Sequence, residues 1–243
     1  MNLVLDFGNT RLKFGVFDHL KMVHKGFLQP KDLTQGLRNL LDQYKNWDRA
    51  IWCQVGPVPD KALEVIKSEM NIIEMTTKVV LPIKNQYKTP HSIGLDRLAL
   101  ASAAHTHFPN NPVLVIDCGT CVTYDFVDVN GCFVGGAISP GLKMRYKAMN
   151  TNTHALPELH PQRPSGWYGA STEASLHHGA FLGLIHEIDG FIDQYGRHNP
   201  DLTVILTGGD HEILRDHIKN DIFAHPNFLL LGLNQILLLN SKD

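Results

Sequence analysis

The chain is short of cysteine, of charge and of long apolar runs, and each shortage narrows what it can be. Its 243 residues include only four cysteines, Cys53, Cys118, Cys121 and Cys132. A chain of this size needs no disulfide framework, so free thiols in a cytoplasmic setting are expected. Charged residues make up 19% and the formal net charge is -2, with no run of Lys or Arg. That excludes the basic footprint of a nucleic-acid binder. The most apolar stretch, Phe228 to Leu239, is broken by Asn234 and Gln235 and is too short to span a bilayer. The N-terminus enters a strand at Leu3, Val4 and Leu5, so neither a secretory signal nor a membrane partner is expected. Low-complexity sequence is also missing. What is there is 43% hydrophobic residues, enough for a packed core.

Two stretches are nearly the same. Leu3 to Asp18 reads LVLDFGNTRLKFGVFD and Leu114 to Asp128 reads LVIDCGTCVTYDFVD. Each is an apolar strand run ending in Asp, a Gly with Asn or Thr beside it, and a second alternating run ending in Asp. The copies begin roughly 110 residues apart, too far for a solenoid repeat of about 20–50 residues, and suggest duplicated domains.

Periodicity fills in the rest. Lys21 to Phe27, Ala50 to Val55 and Ile72 to Met75 read as strands, with helices over Leu33 to Tyr44 and Lys61 to Met70. Leu81 to Pro90 carries two prolines and reads as irregular, and Leu95 to His107 as an Ala- and Leu-rich helix. The second half has strands at Val113 to Asp117, Val122 to Asp128 and Cys132 to Ile138, the last two joined by an Asn130-Gly131 turn. A helix follows Pro140-Gly141, and Thr151 to Gly169 reads as a functional loop. Thr172 to Tyr195 is a long helix capped by Ser171, and Leu202 to Leu206 a buried strand. His211 to Ile218 reads as helix, then a short strand near Phe228 and a terminal helix over Leu233 to Leu239. Each half is therefore an antiparallel meander followed by alternating helix and strand, an α/β chain with expected domains 1–111 and 112–243 parted at FPNNP.

The chemistry lies at the strand ends. Backbone N–H groups at the Asp6 to Thr10 turn can form a nest for phosphate, with Asn9 and Thr10 adding donors and Lys13 neutralising charge. Asp6 suits Mg2+, directly or through water. Either copy alone reads equally as an ordinary hairpin, because Asp and Gly favour turns. Two copies with a later Thr207-Gly208-Gly209-Asp210 favour a nucleotide site. There the glycines either let adenine approach the backbone or simply turn the chain from strand to helix. Cys118 and Cys121 have CxxC spacing, but zinc needs about four ligands and no second pair exists. Asp96 falls in the first turn of a helix, where the dipole favours its ionised form and a carboxylate could act as general base. Arg97 could bind an anionic substrate or a phosphoryl oxygen. The plainer alternative is an acidic helix start beside a surface Arg.

Together DFGNTRLK, Tyr87 with GLDR, DCGTCVTYD with GGAISPGL, and GASTEASLHHGA resemble the type III pantothenate kinases, from Asp6 to Leu233. The resemblance implies duplicated actin-like (ribonuclease H-like) ATPase domains, each a mixed sheet with an antiparallel meander plus helices, and a nucleotide in the interdomain cleft. It makes Asp6, Phe7, Gly8, Asn9, Thr10, Arg11, Leu12 and Lys13 the ATP-phosphate segment, with Thr120 also touching ATP. Asp96 becomes the general base, and Tyr87, Gly94, Leu95, Asp96, Arg97 and Thr172 meet pantothenate. Asp117 would bind a monovalent cation, K+ or NH4+, beside the Mg2+ at Asp6. The implied activity is ATP-dependent phosphorylation of pantothenate by a homodimer with active sites near the subunit interface. Cys121 stands where Ala is usual, and 155–169 carries no motif of the family. The rivals are a sugar or acetate kinase of the same superfamily, and a nucleotide-binding regulator without catalysis.

Overall fold

Six residues, Asn2–Phe7, are buried along their whole length and form β1; seven more, Leu12–Asp18, form β2 and are buried along nearly all of theirs. Apolar runs this short, set either side of a Gly-containing turn, make strands covered on both faces. They pair antiparallel, with Asp6 opposite Lys13. β3 (Lys21–Leu28) completes the meander, its residues alternating between exposed and half-buried as on an edge strand with one covered face. The chain then crosses through α1 (Leu33–Gln43) to β4 (Arg49–Gln54), parallel to β1, and through α2 (Asp60–Lys67) to β5 (Asn71–Glu74), parallel to β4. The sheet order is β3-β2-β1-β4-β5. Leu33, Leu37, Leu40 and Leu41 of α1 recur at helical spacing and pack in one core cluster with Leu3, Leu5, Trp52 and Ile66.

After β6 (Lys84–Asn85) and α3 (Leu95–His107) the pattern repeats. β7 (Val113–Cys118), β8 (Cys121–Val127) and β9 (Cys132–Pro140) form the second meander. α4 (Leu142–Thr151), α5 (Thr172–His177) and α6 (Gly183–His198) lead to β10 (Thr203–Thr207), which lies parallel to β7. α7 (His211–Arg215) leads to β11 (Phe223–Ala224), parallel to β10, and α8 (Phe228–Leu239) ends the chain. These strands run β9-β8-β7-β10-β11. That is the order of the first sheet again, so the duplication read from the two Asp-Gly segments extends to the whole sheet topology.

The structure, a computed structural model, describes residues 1–8, 11–54 and 58–241. It divides into two compact units, Met1–Pro109 with Gly131–Phe133 and Asn227–Asp243, and Asn110–Asn130 with Val134–Pro226. This differs from a single cut between residues 111 and 112, because α8 packs on α3, β1 and β4 and so groups with the first unit. A strand near Phe228 is not found: the strand lies earlier, at Phe223–Ala224, and Phe228 opens the last helix. The expected irregular segment contains β6, whose Lys84 and Asn85 pair in parallel with Cys132 and Phe133 within the first unit. The long helix expected from Thr172 is interrupted by a π turn over His178–Leu182. Among the described residues, no helix is long and apolar enough to cross a membrane.

Asn234, one of the two polar residues that break the α8 apolar run, has its explanation here. Asn234 is 1% exposed, accepts a hydrogen bond from Asn2 Nδ2 (3.2 Å) and donates to the His19 carbonyl (2.8 Å). Its neighbour Gly232 lets α8 approach α3 so closely that an added Cβ would overlap the Ala99 carbonyl. Gly232→Ala is therefore expected to destabilise the fold by about 1–3 kcal/mol, read as a lower midpoint in urea unfolding. An unchanged midpoint would show that the helices are not in backbone contact there.

Candidate active site

In the first unit, Asp6 sits near the carboxyl end of β1, opposite Lys13 on β2 and Cys53 on β4. It is 6% exposed. Burial raises its carboxyl from 3.8 to about 6, with Asp96 adding to the rise and Lys13 opposing it. The Cys53 thiol is pushed far up, first by burial and then by the charges of Asp6 and Asp96. These three groups therefore feel one another. Asp96 lies in the first turn of α3, following Gly94 in extended conformation. Its Oδ1 accepts a hydrogen bond from the Arg97 backbone N–H at 2.9 Å. Burial raises the Asp96 carboxyl, while that hydrogen bond and the Arg97 charge pull it back.

Arg97 is 4% exposed, and its guanidinium carbon lies 5.5 Å from the Tyr87 ring centroid and 5.7 Å from that of Phe133. Along the segment read as phosphate-binding, the side chains of Phe7 and Leu12 belong to the core, so only their main chain can face a ligand. Gly8 and Lys13 are partly exposed. The Arg11 guanidinium rests 4.7 Å from the centre of the Phe27 ring. Asn9 and Thr10 lie outside the described residues.

The second unit carries the other set. Asp117 is partly exposed near the end of β7, opposite Thr123 on β8 and Thr207 on β10. Gly119 N–H donates to the Cys121 carbonyl (3.0 Å), and Gly141 N–H to the Thr120 carbonyl (3.1 Å), so the GGAISPG segment props the Asp117 turn. Gly208 has φ +97, and a Cβ there would fill the space beside an Asp117 carboxylate oxygen. The Asp210 N–H donates to the Cys118 carbonyl at 2.9 Å, and burial raises the Asp210 carboxyl against the pull of Lys143. Cys118 is 1% exposed, and burial with the charges of Asp117, Asp210 and Glu187 holds its thiol well above the usual range. A thiol so placed stays protonated and unreactive. Among the described residues, no group of three or more His, Cys, Asp or Glu is arranged to hold a metal.

Thr172 opens α5 behind Ser171, whose Oγ accepts from the Ala174 N–H at 3.2 Å. Thr172 lines a cavity of about 600 Å3 together with Met149, Leu156, Ser171, Ser175 and Leu176. Leu156 and Gly169, near the two ends of the loop that carried no motif, both border it. Tyr146 of α4 and His177 of α5 share a buried hydrogen bond of 2.8 Å.

Three groups near these sites gave no signal in the sequence. Phe133 meets Arg97 only because β6 pairs with β9. Arg145 donates to the Pro140 carbonyl (2.9 Å) and to Ser139 Oγ (3.0 Å) and pairs with Glu187 at 2.5 Å. Glu187 also accepts from Tyr124 OH at 2.9 Å. Cys53, in the first unit, stands beside Asp6 through strand register alone.

Known structures give the fold its class. A protein from Campylobacter jejuni, described as a conserved Baf family transcriptional activator, matches with TM-score 0.61 and 21% identity over 97% of this chain and 96% of that one. A ROK family glucokinase from Streptomyces griseus matches with TM-score 0.52 and 11% identity, covering 97% and 98%. The two mixed sheets, sharing one five-strand order with β6 added beyond β9 in the second, are the duplicated actin-like ATPase fold. A family profile for type III pantothenate kinase matches residues 2–194. A type III pantothenate kinase from Christiangramia forsetii is 40% identical over 243 residues, the full length of both chains. The chain belongs to the type III pantothenate kinase family, and is an ATP-dependent kinase.

The electrostatics of Asp6 set a direct test. Its protonated form is the one the fold prefers, so stability falls as pH rises from 3.8 through about 6. Above that range the ionised carboxylate costs the free enzyme about 3 kcal/mol. Asp6→Asn is expected to raise the unfolding midpoint at pH 7, to leave it little changed at pH 3.5, and to abolish turnover. A variant less stable than wild type at pH 7 would contradict the burial argument.

Proposed function

We propose that this protein transfers the γ-phosphoryl group of ATP to the primary alcohol of pantothenate, giving 4′-phosphopantothenate, the first step of coenzyme A biosynthesis. The observation that carries this reading is the grouping of Asp96, Arg97 and Asp6 in one unit of a chain that belongs to this family. The pantothenate hydroxyl oxygen attacks the γ-phosphorus as the bond to the β–γ bridging oxygen breaks, releasing ADP. Asp96 takes the hydroxyl proton onto its carboxylate, the role its raised pKa and helix-start position suit. Arg97 holds the anionic substrate, alongside Tyr87, Gly94 and Leu95. Thr172, on its cavity in the second unit, is assigned a further contact with pantothenate. The main chain from Asp6 to Lys13, with the Lys13 ammonium, binds the triphosphate, and Thr120 also touches ATP.

The residues fit two ions. Asp6 is a buried carboxylate whose neighbours leave it partly uncompensated, and it would hold Mg2+, directly or through water. Asp117 borders the space that Gly208 leaves by lacking a Cβ, and it would hold the monovalent cation, K+ or NH4+. Such ions supply charge neutralisation to phosphate oxygens. The reading carries with it the homodimer implied by the family resemblance, and the exposed Trp167 and Tyr168 offer apolar surface for it to cover. Four free cysteines suit a reducing cytoplasm.

A coupled assay of ADP release tests the substrate, with pantothenate, hexoses and acetate compared in the presence of Mg2+ and K+. Turnover is expected with pantothenate alone, and turnover with a hexose or acetate in its place would overturn the reading. Asp96→Asn is expected to keep the unfolding midpoint and lose about 10²–10⁴-fold in kcat. In the wild type the rate should fall as pH drops through the raised Asp96 value, placing the acid limb above 3.8. Near-normal turnover in that variant would remove Asp96 as the base.

A further inference from the structure

Arg145 stands where a helix least favours a positive charge. It lies near the start of α4, the end at which the helix dipole attracts anions. Its own N–H closes the first turn by donating to the Gly141 carbonyl at 3.0 Å. The side chain runs back towards the helix start, as helical side chains do. There Nε donates to the Pro140 carbonyl at 2.9 Å and Nη2 to Ser139 Oγ at 3.0 Å. Nη2 also pairs with Glu187 of α6 at 2.5 Å, so one planar group grips three acceptors. Glu187 is fixed in turn by Tyr124 OH at 2.9 Å. Tyr124 is completely buried, its ring 4.1 Å from that of Phe191 on the same helix.

What this grip holds is backbone. Gly141 N–H donates to the Thr120 carbonyl at 3.1 Å. A Cβ on Gly141 would lie 2.3 Å from the Gly119 carbonyl oxygen and 2.4 Å from that of Thr120. The segment ending at Gly141 and the turn at Thr120 are therefore in main-chain contact, and a shift of one moves the other. Stability alone accounts poorly for the arginine. A partly exposed ion pair adds little, and the helix dipole opposes this cation. We propose that Arg145 is a positioning residue for phosphoryl transfer, its fork tying Glu187 to Ser139 and Pro140 so that Thr120 is held in place for ATP. This rests on the reading of Thr120 as an ATP contact. All of these residues belong to the second unit.

The test compares two substitutions in the full chain. Arg145→Lys keeps the charge and can still pair with Glu187, but a single ammonium does not span the three acceptors as the fork does. Arg145→Met keeps only the apolar stem. Both are expected to weaken binding of a non-hydrolysable ATP analogue, read by calorimetry with Mg2+ and K+, by about three- to ten-fold, the contribution of one hydrogen bond. The KM for ATP should rise by a similar factor, with the KM for pantothenate within about two-fold of wild type. The thermal midpoint of the Lys variant is expected to stay at the wild-type value. A Lys variant that binds the analogue as wild type does overturns the proposal, because charge alone then suffices. Both KM values rising together overturn it too, as does loss of the thermal transition in both variants, which assigns Arg145 to folding. Glu187→Gln removes the charge and keeps the shape; it is expected to weaken analogue binding, and unmoved binding counts against the brace. Thr120→Ala separates the two ways of failing. If it binds the analogue as wild type does, the reading of Thr120 falls and the proposal with it. If it binds more weakly while the Arg145 variants do not, the brace alone falls.

Discussion

Taking a carboxylate out of water at the end of a buried strand is the constraint on which the rest of this protein depends. Asp6 ends a run of apolar residues that must be buried for the first sheet to form, so its carboxyl goes in with them. A single Lys opposite it does not compensate fully, and Asp96 adds a second negative charge to the same neighbourhood. On the proposed function, a magnesium ion and a triphosphate bound there would relieve that unfavourable term. Asp96, the proposed general base, has its carboxyl raised by the same exclusion of water.

Duplication supplied two such strand ends, and register shows how they diverged. Lys13 stands opposite Asp6, whereas Thr123 stands opposite Asp117. The neighbouring parallel strand presents Cys53 in the first unit and Thr207 in the second. The first site is therefore dry and carries a cation. In the second, Asp117 is partly exposed, opposite two threonines, with Gly208 too close to it to carry a Cβ; the proposed monovalent-cation site is built on these features. Arg145 on α4 and Glu187 on α6 pair with each other, and Arg145 also braces the Ser139–Pro140 turn that supports that site.

Much of this was legible because local signals and global topology agree. Alternating apolar runs around Asp-Gly turns named both meanders, and the leucines of α1 fell on one face as their spacing required. Asp96 was legible from its place at a helix start. Phe133 was not, since its meeting with Arg97 depends on pairing between β6 and β9, across a segment whose prolines suggested no strand at all. The strand expected near Phe228 failed for a related reason: a short apolar run has no period that separates strand from helix, and burial against α3 decided for helix. The motif-poor loop ending at Gly169 proved to border a cavity, a property of where its ends come together rather than of its composition.

Titration of the two carboxyl groups in the free enzyme, followed by carbon NMR of labelled aspartate, tests the central claim most directly. Asp6 is expected to titrate near 6 and Asp96 above 3.8, with the Asp6 value falling when Asp96 is replaced by Asn. Ordinary carboxylate values for both groups, unmoved by that substitution, would contradict the claim.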